Sequence, residues 1–316
     1  NLYHILCNLI YSLVISYLLL FSLVAIHNFL VAHCADFCYK RKSSAKTAAK
    51  HLRFSPLPPS YFPTQKGLAM QKMLSYVRRA VDHYHMIEEG DRIAVGVSGG
   101  KDSLALLAAL AKLRDFYPKR FEVVAITLEM GYEEMDFAPV QALCDDLHVE
   151  YIRIPTEIKT IIFDVRQEEN PCALCAKMRR GALHEAAKAA GCAKVALGHH
   201  FDDVVETYML SLFYEGRISC FQPVTFLDRS GITLIRPLLY TPEHYVRSFA
   251  ARHALPVVHN PCPADGNTKR QEIKDLLRQL EQTMPGLRER IFGAIQRYPL
   301  KGWQPDRTRT PAKRPK

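Results

Sequence analysis

Ile93-Ala94-Val95-Gly96-Val97 runs straight into Ser98-Gly99-Gly100-Lys101-Asp102-Ser103, and Leu104-Ala105-Leu106-Leu107 follows without a break. The apolar run has the length and β-branched content of a central parallel strand, and an apolar helical pattern starts directly after the turn. Two glycines let the backbone curl so that several N–H groups and the helix N-terminus face one anion, and Lys101 adds a positive charge. The stretch therefore predicts a phosphate site. A Walker loop reads G-x-x-x-x-G-K-S/T, whereas here one residue precedes the glycine pair in the turn and an acid follows the lysine. An acid beside bound phosphates is repelled unless it holds Mg²⁺ or a backbone amide, so Asp102 predicts a nucleotide presented with its metal. A bare glycine turn between strand and helix needs neither the lysine, nor the acid, nor two serines.

The run S-G-G-K-D-S resembles the PP-loop of the ATP-pyrophosphatase superfamily, whose members use ATP to adenylate a carbonyl or carboxyl oxygen and release pyrophosphate. That resemblance implies a doubly wound parallel sheet. The rest of the chain reads the same way, with strands at 121–128, 149–154 and 194–197 and helices at 136–147 and from the loop Gly198-His199-His200-Phe201-Asp202-Asp203 to about Tyr214. Alternating strands and helices imply right-handed crossovers, and ligands of such sheets sit beyond the carboxyl ends of the strands. Ser98 to Ser103, Thr127-Leu128 and Gly198 to Asp203 are thereby expected around one crevice, with ATP phosphates on the first loop. From about Thr241 the chain reads as helical, at 242–254, 268–283 and 285–298. The expected organisation is a PP-loop ATP-binding α/β domain at 70–240, a C-terminal helical extension at 241–300 and a basic disordered tail at 301–316.

With 316 residues and 48% hydrophobic content the chain can bury one good-sized core. Its net charge of +10 resembles that of a nucleic-acid binder, but the charge sits at the ends: residues 1–69 carry +6 and residues 301–316 carry +5, leaving −1 for residues 70–300. Any RNA site on the core is thus a local patch. Ile5 to Ala32 holds no Asp, Glu, Lys or Arg, is long enough to span a membrane, and precedes Lys40-Arg41-Lys42. It lacks the basic n-region and small-residue cleavage site of a secretory signal, and the first methionine is Met70. Pro56, Pro58, Pro59 and Pro63 mark an extended linker, and Met70, Met73, Leu74, Val77, Val81 and Tyr84 follow at helical spacing. We expect residues 1–69 to be an apolar segment plus linker outside the folded domain, with a genuine membrane anchor as the alternative. Nine cysteines, clustered as one C-x-x-C plus singles, do not form a secreted disulfide framework and point to a reducing, cytoplasmic compartment.

Cys172 and Cys175 share a helix face at its N-terminus, where the dipole favours thiolate, and Arg179 lies one turn beyond Cys175. Such a pair is a redox couple, half of a zinc site or half of an iron-sulfur site. No second C-x-x-C exists, but Asn260-Pro261-Cys262-Pro263 fixes an isolated cysteine before the C-terminal helices. Cys144, Cys192 and Cys220 fall in apolar or helical contexts and read as buried small residues. His199, His200, Asp202 and Asp203 could ligate a metal; the simpler role for an acid beside ATP is Mg²⁺ or substrate orientation, and the blander one is Asp202 as the N-cap of the next helix.

Together, the PP-loop, the C-x-x-C with its following arginines, the stretch Ala196 to Asp203 and Pro261-Cys262 resemble the TtcA family of tRNA 2-thiocytidine synthetases over about residues 70–298. The resemblance implies three thiolates, here Cys172, Cys175 and Cys262, around a 4Fe-4S cluster with one iron left free to carry sulfide. Asp265 stands where the commonest form of the pattern has a further cysteine. The TtuA-type thiouridine enzymes look similar but add zinc-binding cysteine pairs, for which only Cys34 and Cys38 are available, at the wrong spacing. The implied activity is ATP-dependent thiolation of a tRNA cytidine at position 32. Ser98, Gly99, Gly100, Lys101, Asp102, Ser103, Thr127, Gly198 and His199 are the expected ATP-Mg²⁺ residues; Lys101, Asp102, Arg179, Asp202 and Asp203 are the expected catalytic ones. tRNA, a sulfur donor such as a cysteine desulfurase and a second copy of the chain are the implied partners, a membrane only if residues 1–34 are a true anchor. Lys269, Arg270, Lys274, Arg278, Arg288, Arg290 and Arg297 are expected to contact RNA phosphates, or else to form a solvated basic face. The alternatives are a PP-loop ligase or thiouridine synthetase without cluster chemistry, and a membrane-tethered ATP-binding protein.

Overall fold

Six strands form one sheet in the order β3-β2-β1-β4-β6-β5: β1 (Asp91–Gly96), β2 (Phe121–Glu129), β3 (Glu150–Pro155), β4 (Lys194–Ala196), β5 (Val224–Leu227) and β6 (Ile232–Ile235). The computed structural model describes residues 65–132, 134–167, 171–262, 269–298 and 300–303. All strand pairs are parallel except β5–β6; Asp91 stands opposite Phe121, Ile93 opposite Lys194, Lys194 opposite Thr233, and Val224 antiparallel to Ile235. The doubly wound sheet expected from the alternating pattern is thus present, with an antiparallel strand added at one edge.

Period-two alternation divides the strands between two apolar layers. Ile93, Val95, Val123 and Ala125 face the larger layer, which holds α1 (Gln65–His83), α2 (Lys101–Leu113), α3 (Ala138–Asp146) and residues of the C-terminal helices. Ala94, Val124, Ile126 and Val195 face the other, where Ala186 and Ala187 of α4 (Pro171–Ala189) cover them. Helix α2 is buried on nearly every side, from Ser103 through Ala111, because no charged residue interrupts it there. Helix α5 (Phe201–Tyr214) follows β4, and α6 (Glu243–Arg252), α7 (Lys269–Thr283) and α8 (Leu287–Arg297) form the expected C-terminal helical extension.

Several local features differ from the sequence reading. Helix α1 begins at Gln65 rather than Met70; Ala69 is buried and its carbonyl accepts the Tyr245 hydroxyl at 2.8 Å. The β5–β6 hairpin turns through Asp228-Arg229-Ser230-Gly231, whose glycine has φ +65°; its four-residue strands are too short for periodicity to register. A π-helical turn occupies Thr160–Val165 between β3 and α4. Trp303, placed by the sequence reading in a disordered tail, is fully buried, edge-on to Phe292, with its indole N–H donated to the Phe221 carbonyl at 2.9 Å. Among the described residues no helix is long and apolar enough to cross a membrane. The Ile5–Ala32 segment, Cys34, Cys38, Asp265 and residues 304–316 lie outside the described residues.

Candidate active site

The chain leaves β1 toward β2 on one side and later returns to β4 on the other, so the carboxyl ends of these two neighbours flank the point where the winding reverses. The Ser98–Gly100 turn follows β1, and the loop carrying Gly198 follows β4. Gly99 has φ +83°, and a Cβ there would lie 2.8 Å from Val258 Cβ and 3.3 Å from the Phe137 ring. Its carbonyl accepts the Val258 N–H at 2.9 Å. Gly100 is the N-cap of α2 and supplies no side-chain cap, which leaves first-turn N–H groups for an anion. Ser103 braces the turn, its hydroxyl donating to the Gly100 carbonyl at 2.9 Å and accepting the Ser98 N–H at 3.2 Å. The Ser98 hydroxyl oxygen lies 3.3 Å from that of Ser103. At Gly198 a Cβ would lie 3.0 Å from the Asp102 carbonyl carbon and 3.1 Å from the Ser103 nitrogen, so glycine permits the second loop to rest on the first turn of α2. Thr127 is fully buried at the end of β2; its hydroxyl donates to the Val97 carbonyl at 2.8 Å and accepts from Tyr151 at 2.9 Å.

Lys101 reaches both oxygens of Asp102, at 2.9 and 3.1 Å, and Glu243 Oε1 at 3.3 Å. Glu243, buried at the start of α6, also holds Arg247 at 3.2 Å on Oε1 and Lys274 at 2.7 Å on Oε2. Burial opposes its charge, but the hydrogen bond from Lys274 and the charge of Lys101 hold its pKa down at about 2. Lys101 is in turn raised above the ordinary lysine range by Asp102 and Glu243, against burial.

The acids at the start of α5 are tied to the C-terminal helices. Asp202 accepts the Glu243 N–H at 2.7 Å and Arg288 at 2.8 Å. The cap of α5 is His200 rather than Asp202: its Nδ1 accepts the Asp203 N–H at 3.3 Å while Asp203 accepts the His200 N–H at 2.9 Å, a reciprocal capping box. His200 Nε2 lies 3.8 Å from Asp102, which links this cap to the phosphate turn. Asp203 meets Arg270 at 3.5 Å, and buried Glu206 lies 3.7 Å from Arg270 and 3.8 Å from Arg288. Burial, with the charge of Asp203, pushes Glu206 up to about 7. His199 packs 4.9 Å from the Phe221 ring; burial and the nearby Arg236 push it down to about 4, so it is neutral at pH 7.

Most of the basic residues expected to meet RNA phosphates are engaged within the protein. Arg270, Lys274 and Arg288 turn inward as described, Lys269 pairs with Glu272 at 2.9 Å, Arg278 with Asp275 at 2.7 Å, and Arg290 donates to the Pro285 carbonyl at 2.9 Å. Sequence reasoning missed Glu206 and Glu243. The first shares a helix face with Asp202 and Asp203, a spacing that was visible; the second meets its partners only through the fold.

Cys172 stands in the first turn of α4 and Cys175 at the start of the second, the first exposed and the second half-buried, and both are free, as is Cys262. Burial pushes the Cys175 thiol up, Arg179 opposes it, and Cys262 and Cys172 each add to the rise, so the three thiols share one neighbourhood. Burial, with Cys262 alongside, raises the Tyr132 phenol. Among the described residues no three Cys, His, Asp or Glu side chains converge to hold a single metal ion. Three free thiols in one neighbourhood are the soft sulfur ligands that an iron-sulfur cluster takes. Cys144 and Cys192 are buried and Cys220 is partly buried, with the Cys144 and Cys220 thiols pushed up to about 12 by burial. A cavity of about 190 Å³ beyond the carboxyl end of β2 is lined by Glu129, Met130, Gly131, Tyr132, Met135 and Phe137, and the Phe137 ring also borders Gly99.

A parallel sheet with a glycine-lysine-acid turn at its reversal point defines a PP-loop protein, and the PP-loop domain family model matches residues 72–280. A tRNA-cytidine(32) 2-sulfurtransferase from Teredinibacter turnerae is 41% identical over 72% of this chain and 76% of its own length. One from Syntrophotalea carbinolica is 37% identical over 74% of this chain and 91% of its own. The chain belongs to this family of tRNA-cytidine(32) 2-sulfurtransferases. Its fold also matches the U34-tRNA thiolase NcsA from Methanococcus maripaludis, solved with its 4Fe-4S cluster, with a TM-score of 0.58 and 25% identity over 72% of this chain and 77% of that one.

Proposed function

We propose that this chain uses ATP to replace the C2 oxygen of a tRNA cytidine, at position 32, with sulfur. The observation that carries the reading is the 41% identity to a tRNA-cytidine(32) 2-sulfurtransferase over most of both chains. The turn geometry and the three neighbouring thiols support it. In this reading Ser98, Gly99, Gly100, Lys101 and Ser103 hold the phosphates of ATP, and Asp102 releases Lys101 to them and takes Mg²⁺. The C2 oxygen of cytosine attacks the α-phosphorus and pyrophosphate leaves, with Lys101 offsetting its charge. Adenylation is needed because an amide-like oxygen is a poor leaving group and AMP a good one; sulfide then displaces AMP.

Cys172, Cys175 and Cys262 would hold a 4Fe-4S cluster, and a fold relative was solved with such a cluster. When bound there, the cluster would supply the sulfur that replaces the oxygen. Arg179 favours the charged form of Cys175, and Tyr132, a neighbour of Cys262, lines the cavity, which takes one base. Thr127 and Gly198 act by position, the first bracing the strand ends and the second letting the two loops touch; Asp202 and Asp203 fix α5 against α6 and α7. The reaction belongs in the reducing cytoplasm, where the thiols stay free and tRNA and a sulfur donor such as a cysteine desulfurase are at hand.

The test is reconstitution: unmodified tRNA carrying cytidine 32, ATP, Mg²⁺, sulfide and the cluster-loaded protein should yield equal amounts of AMP and 2-thiocytidine. A transcript with uridine at that position should yield neither. AMP formation with no sulfur entering either transcript refutes the proposal.

A further inference from the structure

We propose that Lys274, on the C-terminal helix α7, is a second phosphate-binding cation of the ATP site, and that Glu243 positions Lys101 and Lys274 as a pair. The inference rests on the reading of the Ser98–Ser103 turn as the phosphate site and adds a residue from outside the α/β layer. Glu243 holds Lys101 on one carboxylate oxygen, at 3.3 Å, and Lys274 on the other, at 2.7 Å, so the two ammonium groups stand one carboxylate apart. Such groups repel, and only the acid between them keeps them together. With Arg247 3.2 Å from Glu243 and Asp102 2.9 Å from Lys101, three cations face two carboxylates beside the open N-terminus of α2. This excess positive charge matches a polyphosphate.

Helix geometry makes Lys274 available. Ile273 and Leu277 bury the inner face of α7, and Lys274 sits at its margin with 26% of its side chain exposed, equal within a point to Lys101 at 27%. Lys269 and Arg278, by contrast, pair with acids of their own helix on the outer surface. An arriving pyrophosphate group offers both lysines more oxygens than Glu243 can.

The test uses the full chain with inorganic pyrophosphate and Mg²⁺ in calorimetric titration, and steady-state kinetics with ATP and tRNA varied separately. Lys274→Ala should weaken pyrophosphate binding and raise the KM for ATP by about tenfold, the scale of one charge-assisted hydrogen bond, while kcat and the KM for tRNA stay within about twofold. Lys274→Arg should restore binding, and Glu243→Gln should lose more than Lys274→Ala because both lysines are released. A Lys274→Ala protein that binds pyrophosphate like wild type, or one whose loss Arg does not rescue, overturns the inference and leaves Lys274 a strut for α7. Wild-type protein that does not bind pyrophosphate overturns it as well. If pyrophosphate behaves as expected yet no thiolated tRNA forms, the inference stands and the thiolation reading fails.

Discussion

Alanine in place of Gly198 adds one methyl group at the contact between the two loops of the site. Its Cβ would stand 3.0 Å from the Asp102 carbonyl carbon, 3.1 Å from the Ser103 nitrogen and 3.2 Å from the Asp102 oxygen. All three atoms are backbone of the first turn of α2, so no rotamer change relieves the clash; the turn has to shift by a few tenths of an ångström. Overpacking of this kind costs about 1–3 kcal/mol, and in a domain of this size each kcal/mol lowers Tm by about 2–4 °C. The same shift moves the N–H groups that face the phosphates, and losing one well-aligned charge-assisted bond weakens binding about tenfold. Thermal melting and calorimetric titration with Mg²⁺-pyrophosphate read the two effects. Gly181→Ala is the control: nothing lies within 4 Å of its Cβ and it is mid-helix in α4, so alanine should stabilise by about 0.5–1 kcal/mol. A Gly198→Ala protein with wild-type Tm and wild-type pyrophosphate affinity refutes the proposed contact between the loops.

A chain shortened to begin at Met70 should melt a few degrees below one beginning at Gln65, because it loses the buried Ala69 and the carbonyl that accepts Tyr245, each worth about 1 kcal/mol; equal melting temperatures contradict this. Glu206 titrates near 7 in the fold against 4.5 when unfolded, so the folded protein holds the extra proton and stability falls as pH rises from about 4.5 to about 7, by up to about 3 kcal/mol. Glu206→Gln should flatten that fall in a pH series of melts, and a slope identical to wild type is the opposing result. Anaerobically purified protein should be brown with about four irons per chain. Serine at Cys172, Cys175 or Cys262 should bleach it and serine at Cys144 should not; a colourless wild type containing zinc counts against the cluster.

The central βαβ architecture was legible because its signals are local. The β1 strand, the glycine turn and α2 are contiguous, and the period-two and helical patterns of β2, α3 and α5 each sit within one element. Ser103 and Gly198 were picked as ligand residues from their places in motifs, while their contacts, a brace across the turn and a methyl-width gap against Asp102, needed the fold. The basic residues of α7 and α8 show the limit most clearly. A helix rich in Lys and Arg reads as an RNA face, yet Arg270, Lys274 and Arg288 turn inward to Asp203, Glu243 and Asp202, partners far away in sequence. Charge patterning reports what a helix carries and not which way it faces. The β5–β6 hairpin escaped for a different reason, since four-residue strands fall below the length at which alternation is distinguishable from chance.

The central claim is tested most directly by the modified nucleosides of tRNA from a strain lacking this gene, digested and read by mass spectrometry, with wild type, Lys101→Ala or Cys172→Ser restored in turn. The expected pattern is loss of 2-thiocytidine in the deletion and its return with wild type alone, since Lys101→Ala leaves the oxygen unactivated and Cys172→Ser leaves no route for sulfur. Persistence of 2-thiocytidine in the deletion while 2-thiouridine or another nucleoside disappears would contradict the account of the substrate.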